Sequence, residues 1–84
     1  MFKANVYVTL KNGVLDPQGD AVKNSLQVLG YNNIDKIRTG KFIEIWLDAK
    51  SEKEAMEQVE AISEKLLANL VVEDYRVEVV EVEK

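Results

Sequence analysis

An α+β sandwich is the fold class this chain predicts, and three observations predict it. Apolar residues occupy every second position near the start. They recur at spacings of three and four in two later stretches, and alternation returns near the end. Turn and capping residues fall at the changes of period.

Residues Lys3 to Lys11 make the first strand. Ala4, Val6, Val8 and Leu10 fall on one face, and Lys3, Asn5, Tyr7, Thr9 and Lys11 on the other, the pattern of a half-buried strand. Asp16-Pro17-Gln18-Gly19 marks the change to a helix. Asp16 suits the N-cap, and Pro17 suits the first helical position, where its missing N–H costs nothing. Gln18 and Gly19 are poor first-turn residues on stability grounds, since Gly costs about 1 kcal/mol against Ala in a helix. An ordinary capped turn accounts for the tetrapeptide taken alone, but the polar, backbone-accessible entrance hints at a contact site. Val22, Leu26 and Leu29 form the stripe of this first helix, and Gly30 supplies its stop.

Beyond the turn Tyr31-Asn32-Asn33, residues Ile34 to Thr39 are predicted to form a second strand. A bend or bulge at Gly40-Lys41 would lead into a third, Phe42 to Asp48. There Ile43, Ile45 and Leu47 share one face, and Phe42, Glu44 and Trp46 the other. Ser51-Glu52-Lys53-Glu54 has the form of a capping box. The helix it opens carries Ala55, Val59, Ile62, Leu66 and Leu70, ending near Asn69. A last strand, Val72 to Val82, follows. Two right-handed strand–helix–strand crossovers joined by a hairpin predict a ferredoxin-like βαββαβ sandwich. Its four-stranded antiparallel sheet would carry both helices on one face. Residues 1–84 are expected to form one such domain.

Composition narrows the function classes. Of the 84 residues, 46% are apolar and 31% charged, which is a globular balance with material for a modest core. Small domains of this kind often gain stability by associating. The chain has neither cysteine nor histidine, so it has no disulfide, no thiolate chemistry, and neither the commonest general base nor the commonest metal ligand. Independent catalysis is not expected. Lys and Arg number 11 against 15 Asp and Glu, an acidic balance that disfavours unspecific nucleic-acid binding. No apolar run approaches the length of a membrane span. The expectations are therefore no nucleic acid, no membrane, no metal, and a cytoplasmic setting.

In a two-layer sandwich one face of the sheet stays open, and here it would carry Tyr7, Phe42 and Trp46. A cluster of aromatics on a flat sheet predicts an interaction surface. The last strand is apolar on both faces, with Val77 and Val79 on one and Val72, Val80 and Val82 on the other. An edge of that kind invites pairing with another chain. Self-association through Tyr7, Phe42, Trp46, Val80 and Val82 is the expectation. Arg38-Thr39-Gly40-Lys41 places two cations around a glycine, suited to gripping a carboxylate or phosphate. Taken alone, the motif is better explained as a hairpin with a solvated rim. Glu73-Asp74-Tyr75-Arg76 is a poor catalytic carboxylate pair, because neighbours on a strand point to opposite faces.

Together these segments resemble a known family. Val6-Tyr7-Val8-Thr9-Leu10-Lys11, Val14-Leu15-Asp16-Pro17-Gln18-Gly19, Arg38-Thr39-Gly40-Lys41-Phe42, Glu64-Lys65-Leu66-Leu67-Ala68-Asn69 and Glu73-Asp74-Tyr75-Arg76 look like the PurS family. This is the small subunit of phosphoribosylformylglycinamidine synthase, or formylglycinamide ribonucleotide amidotransferase. The resemblance covers nearly the whole chain in order. It implies a role in de novo purine synthesis as a non-catalytic subunit of an ATP-dependent amidoligase complex. In that complex a glutaminase subunit releases ammonia and a large synthetase subunit uses ATP, with magnesium. The small subunit, as a dimer, bridges the two and itself binds no cofactor. Carried over by position, Asp16, Gln18, Gly19, Arg38, Gly40, Lys41, Asp74, Tyr75 and Arg76 would be contact residues.

Two alternatives share the order of elements. An RNA-binding module would stack bases on Tyr7 and Phe42, but Glu44 and the acidic balance oppose phosphate. A small-molecule sensor of the ACT type would use the glycine near the first helix entrance.

Overall fold

The computed structural model describes residues 1–83. Strand β1 (Phe2–Leu10) is followed by helix α1 (Pro17–Val28), strand β2 (Gly40–Leu47), helix α2 (Glu52–Ile62) and strand β3 (Glu73–Glu81). A π-helical turn, Ser63–Leu67, extends α2.

β1 is central and pairs antiparallel with both neighbours, so the strand order is β2-β1-β3. Val6 lies opposite Ile43 on one side and Val77 on the other. Strict alternation along β1 gives the core its first row: Phe2, Ala4, Val6 and Val8 are buried, and the residues between them are not. Ala55 and Val59 of α2 pack on that row with Ala68 and Val79. Ser51 caps α2 by accepting the Glu54 N–H at 3.1 Å. Ser63, fully buried where α2 turns π-helical, donates its hydroxyl to the Val59 carbonyl at 2.8 Å and so carries no unpaired polar group into the core.

The expected four-stranded sheet is not formed: among the described residues it has three strands. Residues 34–39, predicted as a strand, form no regular element and lie in no sheet. The physical reason sits at Gly40-Lys41, where no reversal occurs. Tight hairpin turns of the primed types need a positive φ, and Gly40 has none. Gly40 is instead the first residue of β2, paired with Thr9, and a Cβ there would collide with the Val8 carbonyl oxygen. β2 therefore begins at Gly40 itself, with no paired strand before it. The expected helix layer is corrected with it. α2 lies over β1 and β3, whereas α1 has no substantial packing on the sheet.

α1 and residues 34–39 form an arm. The helix ends in paired turns, with Gly30 N–H donating to Gln27 O at 3.1 Å and Tyr31 N–H to Leu26 O at 2.9 Å. The chain then doubles back along the helix, where Lys23 Nζ meets the Asp35 carbonyl at 2.6 Å. The molecule measures 51 × 29 × 15 Å with a radius of gyration of 16.5 Å. A compact chain of this length would have about 12 Å. The excess is the arm.

Candidate functional site

Asp16 joins the arm to the body of the fold. Its Oδ1 accepts the Gly19 N–H at 2.8 Å, which caps α1, and the Thr39 hydroxyl at 3.1 Å. Its Oδ2 accepts the Thr39 N–H at 2.8 Å. These donors, the Thr39 N–H first and the Gly19 N–H second, hold the carboxyl below the usual aspartate range. Gly19 is buried beneath them, and a Cβ there would strike the Ile37 carbonyl oxygen. The odd first-turn glycine is thus a close approach of helix and returning chain.

Beside this staple lies a cleft of about 290 Å³ lined by Leu10, Asp16, Pro17, Gln18, Thr39, Gly40, Lys41 and Glu73. Lys41 Nζ donates to the Leu67 carbonyl at 3.1 Å and lies 3.8 Å from Glu73 Oε2. Glu73 Oε1 accepts the Asn69 N–H at 2.7 Å. At the neighbouring loop Arg38 Nη1 donates to Asn12 Oδ1 at 2.8 Å. Asp16, Gln18, Gly40 and Lys41 therefore converge on one cleft, with Gly19 beneath Asp16, whereas Arg38 does not line it and reaches Asn12 instead.

Asp74, Tyr75 and Arg76 do not join them as a group. Asp74 and Arg76 stand opposite Thr9 and Tyr7, on the open face of the sheet. Tyr75 points to the helix side, where its hydroxyl donates to Glu64 at 2.9 Å. Burial, then that bond, raises its pKa. On the open face Tyr7 and Phe42 stack with centroids 5.1 Å apart. The Arg76 guanidinium lies 4.3 Å above the Tyr7 ring, and Lys3 Nζ lies 5.2 Å from Trp46. Phe42 and Trp46 are 55% and 57% exposed, and Val80, opposite Lys3, is exposed on the same face. Val82 lies beyond β3, its N–H bound to the Met1 carbonyl at 2.9 Å. Glu78, on the same face, raises the Tyr7 pKa, and the Tyr7 hydroxyl lowers that of Glu78.

Three contributors were not among the residues singled out from sequence. Thr39 and Glu73 lay inside quoted motifs without a role, and Asn12 had only the Asn-Gly turn signal beside it. The cleft's two carboxylates are occupied by donors, and nothing near them pairs a nucleophile with a base. Among the described residues no group of acidic side chains has the arrangement of a metal site.

A three-stranded α+β chain with a projecting arm, a polar cleft at its root and an open aromatic face has several surfaces suited to docking on other subunits. Comparison with known proteins makes the assignment particular. The family model described as PurS, phosphoribosylformylglycinamidine (FGAM) synthase, matches residues 3–81. The chain belongs to the PurS family. It is 49% identical to the PurS subunit of phosphoribosylformylglycinamidine synthase of Bacillus subtilis, over 98% of this chain and 96% of that one. The crystal structure of Methanocaldococcus jannaschii PurS, a subunit of formylglycinamide ribonucleotide amidotransferase in the purine biosynthetic pathway, superposes with a TM-score of 0.90. That match has 41% identity and covers 99% and 100% of the two chains. A chain of the Thermotoga maritima PurLQS structure superposes with a TM-score of 0.86 at 33% identity, covering 94% and 96%. The assignment selects the synthase-subunit reading over the RNA-binding and ACT-like alternatives.

Proposed function

We propose that this chain works as a homo-oligomer bridging the glutaminase and synthetase subunits of phosphoribosylformylglycinamidine synthase, and that it performs no chemistry of its own. The observation that carries this reading is the likeness along nearly the full chain to a component of the T. maritima PurLQS assembly. The residues support it. The cleft and the open face hold their charged and aromatic groups in defined positions, yet offer no nucleophile–base pair. The Arg38, Lys41 and Asp16–Gly19 elements are the contacts at one end, and Asp74, Arg76 and the aromatic face supply those of the sheet. The chain binds no cofactor in this role; ATP and magnesium belong to the synthetase. No helix among the described residues is long and apolar enough to cross a membrane, and a cytoplasmic setting fits the role.

Reconstitution tests this. The purified chain alone should neither hydrolyse glutamine nor consume ATP. Added to the two larger subunits it should co-elute with both and raise glutamine-dependent amidine formation. Full glutamine-dependent activity without it, or co-elution with neither subunit, overturns the reading.

A further inference from the structure

We propose that the turn 69–72 is a braced apolar anchor that docks into an apolar pocket on a larger subunit of the complex. The inference rests on the bridging reading above and names residues that carry binding at one end of the chain.

Asn69 holds this turn through its backbone and its side chain. Its carbonyl accepts the Val72 N–H at 3.0 Å and the Glu73 N–H at 2.7 Å. Its side-chain oxygen accepts the Val71 N–H at 3.1 Å, and its own N–H donates to Glu73 Oε1 at 2.7 Å. Turns closed by an Asn side chain ordinarily present small or polar residues. Here the central pair is Leu70-Val71, 44% and 83% exposed.

Leu66, in the preceding π-helical turn, is 80% exposed. Periodicity placed Leu66 and Leu70 on the buried stripe of α2. The core instead follows Ala55, Val59, Ser63 and Leu67, and then takes Ala68. Leu66, Leu70 and Val71 are left in solvent, where they add nothing to the core. π-helical turns of this kind recur at functional sites.

The bracing lowers the entropy lost on docking, because the turn is already ordered. Both flanks are fixed as well. The Lys11 N–H donates to the Val72 carbonyl at 2.8 Å, and Lys41 Nζ donates to the Leu67 carbonyl at 3.1 Å. Glu73 binds Asn69 with one oxygen and faces Lys41 with the other, so the apolar tip is continuous with the polar cleft. Exposed apolar residues beside fixed polar groups match the anatomy of a binding hot spot and its rim.

The chemistry selects the occupant. A two-fold contact between copies needs a self-complementary patch. A turn tip is convex, and the adjoining cleft is lined by an ammonium and two carboxylates, which do not receive Leu70 or Val71. Glu64, Glu73 and Asp74 flank the turn in sequence and oppose an anionic lipid surface. A folded partner with a concave apolar site fits, and the larger subunits are the partners of a bridging chain.

The chain contains no cysteine, so Val71→Cys puts a single thiol at the tip. Its alkylation, read by mass on this chain, should slow at least about tenfold when the purified glutaminase and synthetase subunits are added. Lys53→Cys, at an 87% exposed side chain on α2, should keep its rate. Leu70→Ser/Val71→Ser should leave the free chain's sedimentation unchanged and weaken binding to the larger subunits about a hundredfold. Leu70→Met/Val71→Ile should bind as wild type does. Wild type that binds neither larger subunit overturns the bridging reading and the anchor together. Binding with Val71→Cys still fully reactive, with Lys53→Cys equally shielded, or with wild-type affinity in the serine variant overturns the anchor alone. Slow alkylation of Val71→Cys in the free chain, or dissociation of its oligomer in the serine variant, gives the tip to a second copy and overturns the anchor as well. The alkylation result decides the matter even if the serine variant fails to fold.

Discussion

Asp16 shows how one side chain can set the direction of a segment. It caps α1 and binds Thr39 with the same carboxylate, so the helix start and the strand start are held together. The donors favour the ionised form and lower its pKa. A lowered carboxylate pKa stabilises the fold above the unfolded value, about 3.9, and this is lost as pH falls through the lower folded value. Melting temperatures measured from pH 6 down to pH 2 should therefore converge between wild type and Asp16→Asn at the acid end and separate above about pH 4. An equal gap at every pH would remove the titration from the account. Gly19 makes a second test. Gly→Ala inside a helix normally helps by up to about 1 kcal/mol. Here the added methyl meets the Ile37 carbonyl oxygen, and Gly19→Ala should instead destabilise by about 1–3 kcal/mol in urea unfolding.

At the scale of elements, the two helices differ in what holds them. α2 buries Ala55 and Val59 against β1 and is capped by Ser51, so it belongs to the core. Ser51→Ala should cost about 1 kcal/mol, read as a shift in the urea midpoint at unchanged slope. α1 buries only Gly19 and depends on its caps and on whatever covers Val22, Leu26 and Leu29. Hydrogen exchange should accordingly be slow in α2 at all concentrations. In α1 it should slow markedly with protein concentration; exchange in α1 independent of concentration would show that the arm needs no second copy.

For the whole molecule the arginines separate assembly from folding. Arg38 and Arg76 are exposed, and their bonds, to Asn12 and Glu78, are of the solvated kind that contributes little to stability. Replacing either by Ala should leave the melting temperature nearly unchanged while weakening the three-component complex and its glutamine-dependent activity. Activity with free ammonia should fall less, because ammonia needs no delivery from the glutaminase. Equal losses with both nitrogen donors would mean that the chain organises the synthetase site itself.

Much of this architecture was legible in the residues. Alternation at Ala4, Val6 and Val8 identified the central strand and its buried face, since burial on one side of a pleated strand writes itself at every second position. Asp16-Pro17 and Ser51–Glu54 marked two helix starts correctly, because capping is chemistry between near neighbours. The PurS resemblance was readable for the same reason, being carried by short ordered segments. The path at Gly40 was not legible. Gly40-Lys41 suits a reversal as well as an extended crossing, and local sequence does not choose between them. Contacts distant in sequence decide it: Thr9 and Val8 across the sheet, and Asp16 reaching Thr39 from 23 residues away. Those contacts turned an expected fourth strand into an arm. They also gathered Asp16, Gln18, Gly40, Lys41 and Glu73 around one cleft, while β-strand alternation sent Tyr75 to the opposite face from Asp74 and Arg76. Periodicity and caps are fixed by residues within a turn or two of each other. Which surfaces then meet depends on where the chain reverses, and that was settled only in the tertiary structure.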